Sequence, residues 1–348
     1  MDTEKKVFPA ERWQRGNPYD FGFTKEALEK IDEKMKQAEA NSVLVCNGYL
    51  IAEWNYAGPR EKTVEIQSCT KSITSMILGL ALKDDLIPCL DARVKDYWPG
   101  FEAGAYTNRI TFRHLVTMTS GISAGAPFVN PMEYVDPGNI EPGKEYHYTN
   151  SQPIALACAL TYIFGRPLKD VLKERVLDIV RIEDTFDWWV GGQAQTPKTI
   201  TAADGKEVVV NIGSWGTCWT ARDLARIGYL YLNKGRWENH QILTEEFVKE
   251  SFTNIGLKIN IWRRGSWFEE QPQTEEGQAQ LGYGLGWWTE RNSDIKAWNM
   301  GGNGGQFCMV LPDDGIVMTK INGYHKFPFI KKDQFLPILA ECLKRKNP

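Results

Sequence analysis

At 348 residues, 42% of them hydrophobic and 24% charged, the chain is long enough for one large domain or two interleaved subdomains, with a core that needs no staples. A formal net charge of −3, with no basic run longer than Lys344-Arg345-Lys346, excludes an electrostatic footprint for nucleic acid or an anionic membrane. Seven widely spread cysteines without a Cys-x-x-Cys pair signal neither a disulfide framework nor a zinc site. Residues 1–6 carry no apolar run, so no signal peptide is read, and a cytoplasmic location is expected rather than a periplasmic or secreted one. The richest apolar stretch, residues 73–82, falls short of the roughly 18 residues that a membrane span needs. Thirteen tryptophans are the one clear compositional excess, and some of those rings are expected to line a pocket.

Along the chain, Thr24 followed by a charged, helix-favouring stretch to residue 40 predicts a capped amphipathic surface helix. Residues 42–46 and 49–54, broken at Asn47-Gly48, predict a hairpin with a type I′ turn. From Ser68 to about residue 84 the pattern turns helical, with Ile73, Ile77 and Leu80 on one face. Further helices are predicted near 111–118, 151–164, 167–180 and 220–233. The Gly- and Pro-rich segment 121–143 is long enough to be a functional loop bordering a site. Strands follow at 283–289, 306–311 and 316–321, the last two joined across Pro312-Asp313-Asp314-Gly315, before a closing helix at 334–344. The fold class is therefore α/β of the α+β kind: an antiparallel sheet formed from both termini, flanked by helices, with an inserted mostly helical subdomain. Residues 1–67 and 235–348 are expected to form the α/β part and 68–234 the helical part, with the site between them.

Chemistry concentrates at Ser68-Cys69-Thr70-Lys71, where a strand region ends and an apolar helix begins. This places Ser68 at the helix N-terminus and Lys71 on the same face one turn later. A serine hydroxyl is a weak nucleophile until a neighbour takes its proton, and a lysine does so once desolvation and nearby charge favour its neutral form. Ser293-Asp294-Ile295-Lys296 has the same spacing but lies in a polar turn. Tyr148-Thr149-Asn150 ends the long loop just before a helix, with Asn150 or Ser151 as its cap. Tyr106 and Tyr231 also have Asn two residues on, and they read as a surface turn residue and a core aromatic. Cys69 is expected to turn from Ser68 into the core. Histidines 114, 147, 240 and 325 show no ligand spacing, so no metal is assigned.

These residues resemble the serine β-lactamase and penicillin-binding protein superfamily, in its class C-like branch with carboxylesterases and 6-aminohexanoate-dimer (nylon-oligomer) hydrolases. The likeness covers nearly the whole chain: the run Ile110-Thr111-Phe112-Arg113-His114-Leu115-Val116-Thr117-Met118-Thr119-Ser120-Gly121 is similar to the connector after the nucleophile helix. Thr220-Ala221-Arg222-Asp223-Leu224-Ala225-Arg226-Ile227-Gly228 is similar to the helix returning toward the sheet. The family's Lys-Thr-Gly strand is matched best by Met300-Gly301-Gly302-Asn303-Gly304-Gly305-Gln306, in which Met300 and Gly301 replace the cation and hydroxyl that grip a carboxylate. The resemblance implies a β-lactamase-like fold and no cofactor or metal, with Ser68, Lys71 and Tyr148 catalytic and Asn150 positioning the substrate. It further implies an oxyanion hole from the backbone N–H groups of Ser68 and Asn303. Gly301, Gly302, Met300, Trp188, Trp189, Trp215, Trp219 and His147 are pocket candidates, Trp188, Trp189, Trp215 and Trp219 serving equally well as core. The expected activity is hydrolysis of a small neutral ester or amide through an acyl-enzyme, carboxylesterase-like. A β-lactamase or D-Ala-D-Ala carboxypeptidase-type peptidase is the alternative and would need another cation, such as Arg291 or Lys296. A non-catalytic ligand-binding homologue is the alternative from another class.

Overall fold

The computed structural model describes residues 6–122, 140–192, 196–256, 281–292, 295–323, 330 and 332–346. The segment 123–139, most of the expected functional loop, and His325 and Ser293-Asp294 lie outside the described residues. An eight-stranded sheet organises the fold. Its strands are β1 (Gln14–Arg15), β2 (Asn41–Cys46), β3 (Tyr49–Asn55), β4 (Leu281–Tyr283), β5 (Trp288–Asn292), β6 (Ile295–Gly302), β7 (Gln306–Leu311) and β8 (Ile316–Ile321), in the spatial order β1-β3-β2-β8-β7-β6-β5-β4. Both ends of the chain thus contribute, as expected. Every pair is antiparallel except β1 with β3, which makes the sheet mixed rather than purely antiparallel.

The β2–β3 hairpin closes through Asn47 and Gly48 with φ of 48° and 88°, the doubly left-handed signature of the predicted turn. A Cβ on Gly48 would overlap the Val7 carbonyl, so glycine is required there on two grounds. The predicted strand 283–289 is instead two strands, β4 and β5, turned at Gly286 (φ 76°). Strand β6 extends well upstream of the Met300 motif. Its polar–apolar alternation is hidden because it is covered on both faces: Met300 packs with α2 (Thr70–Lys83) in one core, while Ile295 and Ala297 pack in the other with α1 (Lys25–Gln37) and α5 (Leu336–Lys346).

Thr24 caps α1 by accepting from the Ala27 N–H at 3.2 Å, and Ala27, Ile31 and Met35 are its buried face. The helix expected at 111–118 is shorter, Phe112–Val116, and His114 completes a capping box with Thr111, its Nδ1 accepting from the Thr111 N–H. The helix expected at 167–180 is interrupted by a π turn, Lys173–Leu177. Helix α3 (Ser151–Phe164) is almost wholly buried and packs against α2. Helix α4 (Ala221–Leu232) packs against β7 and β8. This helix, placed by the sequence boundaries in the middle segment, therefore belongs physically with the sheet.

Helix α4 is tied down by charge. Arg226, fully buried, donates to the carbonyls of Ala10 and Val180 and to Glu183 Oε1, and Arg222 donates to both Glu53 oxygens and to Glu183 Oε2. Burial raises the Glu53 carboxyl, but Arg222 and Arg15 outweigh it and hold the group below its ordinary range. None of the seven cysteines is joined in a disulfide. No described helix is long and apolar enough to cross a membrane.

Candidate active site

Ser68 sits in a single 3-10 turn, Gln67–Cys69, ahead of α2 rather than at its first residue. Gln67 is left-handed at φ 53°, a conformation that costs a non-glycine residue about 1 kcal/mol or more and persists only when its surroundings hold it. Glu65 does the holding. Its carboxylate accepts from the Gln67 N–H at 2.8 Å, from the Gln67 side-chain amide, and from the Gly216 N–H at 2.7 Å. Burial raises the Glu65 pKa against the pull of these donors and of Lys71. Cys69 turns inward as expected, fully buried and donating to the Gln306 carbonyl.

Lys71, 3% exposed, projects from the first turn of α2 back to Ser68. Its Nζ lies 2.9 Å from Ser68 Oγ, 2.7 Å from Asn150 Oδ1 and 3.1 Å from the Ser214 carbonyl oxygen. The Ser214 carbonyl is aimed by neighbouring contacts: Thr74 Oγ1 donates to the Gly213 carbonyl, and the Thr70 and Thr217 hydroxyls share a 2.8 Å hydrogen bond. Asn150 is the N-cap of α3, but its side chain makes no capping bond. The oxygen that a cap would spend on its own helix goes to Lys71 instead.

Tyr148 lies with its ring 4.9 Å from the Lys71 ammonium, and the ring is held by Trp288 at 5.5 Å and Tyr283 at 6.3 Å between centroids. Tyr146 completes this aromatic wall against Tyr283 and Trp288. The end of β6 lies against the turn that carries Ser68. A Cβ on Gly302 would overlap the Ile66 carbonyl oxygen, so only glycine permits that approach. A Cβ on Gly301 would lie 3.4 Å from the Trp288 ring.

The structure thus brings Ser68, Lys71, Tyr148, Asn150, Gly301 and Gly302 together. Three other pocket candidates are core residues. Met300 is fully buried in the core beside α2, because its position on β6 faces the helix layer. Trp188 is also core, its Nε1 donating to the Ile212 carbonyl at 2.8 Å, and Trp219 is fully buried against Phe186. Trp189 is 43% exposed and Trp215 half-buried. The His147 ring turns to Glu145 at 3.0 Å, while its backbone carbonyl accepts from Gln152.

Sequence reading missed Glu65, Ser214, Tyr283, Trp288 and Lys332. The last places its ammonium 5.9 Å from the centroid of the Trp288 ring. The one local signal was the glycine–aromatic run Gly282-Tyr283-Gly284-Leu285-Gly286-Trp287-Trp288, which the strand reading absorbed. No described group of three or more His, Cys, Asp or Glu side chains is arranged to hold a metal.

A family model described as "Beta-lactamase" matches residues 57–325. No curated protein matches the chain by sequence. Among solved structures the chain is similar to the octameric penicillin-binding protein homologue from Pyrococcus abyssi, at 17% identity and TM-score 0.66 over 92% of this chain and 77% of that one. It is also similar to a D-stereospecific amidohydrolase from Streptomyces sp., at 17% identity and TM-score 0.62 over 89% and 98% of the two chains. A third similar structure is a simvastatin synthase variant from Aspergillus terreus, at 16% identity and TM-score 0.64 over 92% and 99%. At these identities the structural likeness speaks to the fold.

Proposed function

The chain belongs to the β-lactamase family, and on that premise we propose that it is a serine hydrolase that cleaves a small ester or amide, carboxylesterase-like, through an acyl-enzyme. The observation that carries this reading is the 2.9 Å approach of a buried lysine amino group to Ser68 Oγ, with Asn150 and Ser214 as the lysine's other hydrogen-bond partners. Ser68 attacks the carbonyl carbon while Lys71, with Tyr148, takes the hydroxyl proton. The carbonyl oxygen gains negative charge between the backbone N–H groups of Ser68 and Asn303. Tyr148 then delivers a proton to the departing alcohol or amine, and the bond to the leaving group breaks. Water repeats the sequence on the Ser68 ester; an acceptor alcohol or amine in its place would give transfer, a choice in keeping with similarity to both an amidohydrolase and a synthase. Asn150 steadies Lys71 and reaches the substrate's amide or ester.

The test is intact-mass labelling with a fluorophosphonate beside absorbance assays with p-nitrophenyl acetate and butyrate, comparing wild type with Ser68→Ala. A single adduct and ester turnover, both lost in Ser68→Ala, are expected. Folded protein without an adduct would sink the catalytic reading and leave a ligand-binding homologue.

One observation favours the peptidase-like alternative, in which a cation grips the substrate's carboxylate. Lys332 stands over Trp288, whose ring also packs against Tyr148, a better placement than the exposed Lys296 over Trp298. On that alternative nitrocefin is turned over rapidly, and Lys332→Ala lowers kcat/KM for it about tenfold, the scale of one charge-assisted hydrogen bond. Slow nitrocefin turnover indifferent to Lys332 would leave the esterase reading alone.

A further inference from the structure

Lys320, on β8, is fully buried. Its partners are the carbonyl oxygens of Gly305, at 3.0 Å, and Gly304, at 3.5 Å, and no carboxylate among the described residues lies within ion-pair distance of it. A lysine desolvated without a counter-ion is expensive enough to ask what it does. The two carbonyls belong to the turn Asn303-Gly304-Gly305 between β6 and β7, whose glycines have φ of 82° and 76°. This is the turn that follows Gly302, the residue pressed against the nucleophile segment.

The turn is gripped from two sides. Gln306 Nε2 donates to the Asn303 carbonyl at 3.3 Å and to the Glu65 carbonyl at 3.0 Å, while Asn303 Oδ1 accepts from the Gly304 N–H at 2.8 Å. From behind, Lys320 Nζ would touch a Cβ on Gly305, at 3.4 Å. Cys69, next to Ser68 in sequence, is near enough to Lys320 to act on its charge. A positive charge therefore sits behind the peptides that flank the place where negative charge develops in the reaction.

We propose that Lys320 is a positioning residue for the reaction: its ammonium clamps the Gly304 and Gly305 carbonyls, orients the Asn303 peptide toward the oxyanion, and adds a fixed positive charge behind it. This rests on the hydrolase reading above. Burial lowers the Lys320 pKa to about 7, so the charge is present below that pH and lost above it. The consequence is a falling limb in kcat as pH rises through about 7. A base role for Lys71 gives the opposite, rising limb, so the two are separable by sign.

The experiment measures kcat and KM for p-nitrophenyl butyrate from acid to alkaline pH, with fluorophosphonate labelling rates, for wild type, Lys320→Met and Lys320→Gln. Losing one direct oxyanion donor costs about a hundredfold or more, so the indirect support of Lys320 is set at about tenfold. Wild type is expected to step down by that factor across neutrality with KM little changed. Lys320→Met sits at the lower plateau throughout and lacks the step; Lys320→Gln, which keeps a donor without the charge, also lacks it. An independent readout comes from stability. Between about 7 and the ordinary lysine range the unfolded chain keeps a proton that the folded one has released, so wild type gains stability with rising pH relative to Lys320→Met.

A folded Lys320→Met protein with wild-type kcat and an unchanged alkaline step overturns the proposal. If that variant does not fold, a wild type without any falling limb near neutrality does so equally. Absence of any Ser68-dependent adduct marks failure of the hydrolase reading instead, and a normal adduct whose formation rate ignores Lys320 marks failure of this inference alone.

Discussion

Lys71→Ala protein is expected to hydrolyse p-nitrophenyl acetate with kcat/KM about a thousandfold below wild type, and to react with a fluorophosphonate comparably slowly, since a positioned general base contributes roughly 10²–10⁴-fold. Lys71 places its amino group in hydrogen-bond contact with Ser68 Oγ, the side chain of Asn150 that faces it is an acceptor there, and Glu65, on the same segment, is committed to backbone N–H groups. The substitution also strips a donor from the Asn150 oxygen and the Ser214 carbonyl, which costs about 1–3 kcal/mol of stability for each group left unsatisfied. Rates must therefore be taken on protein shown to be folded by circular dichroism. Lys71→Arg separates charge from proton transfer, because guanidinium keeps the charge and does not release a proton. It is expected to be nearly as inactive as the alanine variant. Labelling of either variant at the wild-type rate would remove Lys71 from the mechanism and leave the helix N-terminus as the activating feature.

Glu183→Ala is expected to have the largest effect on stability, roughly 3–5 kcal/mol, because it removes the shared anion of a buried ion network. Glu183 accepts from Arg222 at 3.0 Å, from Arg226 at 3.1 Å and from the Trp13 N–H at 3.2 Å. Arg226 is wholly buried and its Nε already lacks a partner, so the variant leaves an uncompensated guanidinium between α4, the 9–11 segment and Val180. Urea unfolding read by tryptophan fluorescence measures this, and a loss below about 1 kcal/mol, the scale of a surface pair, would show that the network contributes little. Turnover per folded molecule is expected to stay at the wild-type level, since no group of the network touches Ser68 or Lys71. The same network carries an acid signature. Because the folded Glu53 pKa is held below its ordinary value, its contribution is present above the glutamate range and is lost as pH falls through the lowered value.

What the linear sequence carried was whatever depends on near neighbours. The i, i+3 spacing of Ser68 and Lys71 puts them on one helical face in any helix, and the structure realises it at 2.9 Å. Asn-Gly specifies a left-handed pair of turn residues whatever surrounds it, and Thr24 and Thr111 cap the helices that follow them because the cap bond is local. Strands β2, β7 and β8 were legible from their short, mostly apolar stretches bounded by turn residues. Strand β6 was not, since a strand covered on both faces by helices need show no alternation, and its glycines answer to the Ile66 carbonyl rather than to β propensity.

The sequence by itself singled out Ser68, Lys71, Tyr148 and Asn150, which the fold brings together, and the broad architecture to which both termini contribute strands. Only the tertiary structure decided which aromatic rings form the wall, because Trp188, Trp219 and Trp288 are chemically alike and differ only in whether packing turns them to the core or to Tyr148. It also decided that Glu65 accepts from the Gln67 and Gly216 N–H groups, that the Ser214 carbonyl accepts from Lys71 and that Lys320 donates to the Gly304 and Gly305 carbonyls. Two of those contacts join residues more than a hundred positions apart, Glu65 with Gly216 and Lys71 with Ser214. Their physical cause is burial: once desolvated, a carboxylate, a carbonyl or an ammonium must take whatever partner the fold brings to it, and the fold's register, not local sequence, selects that partner.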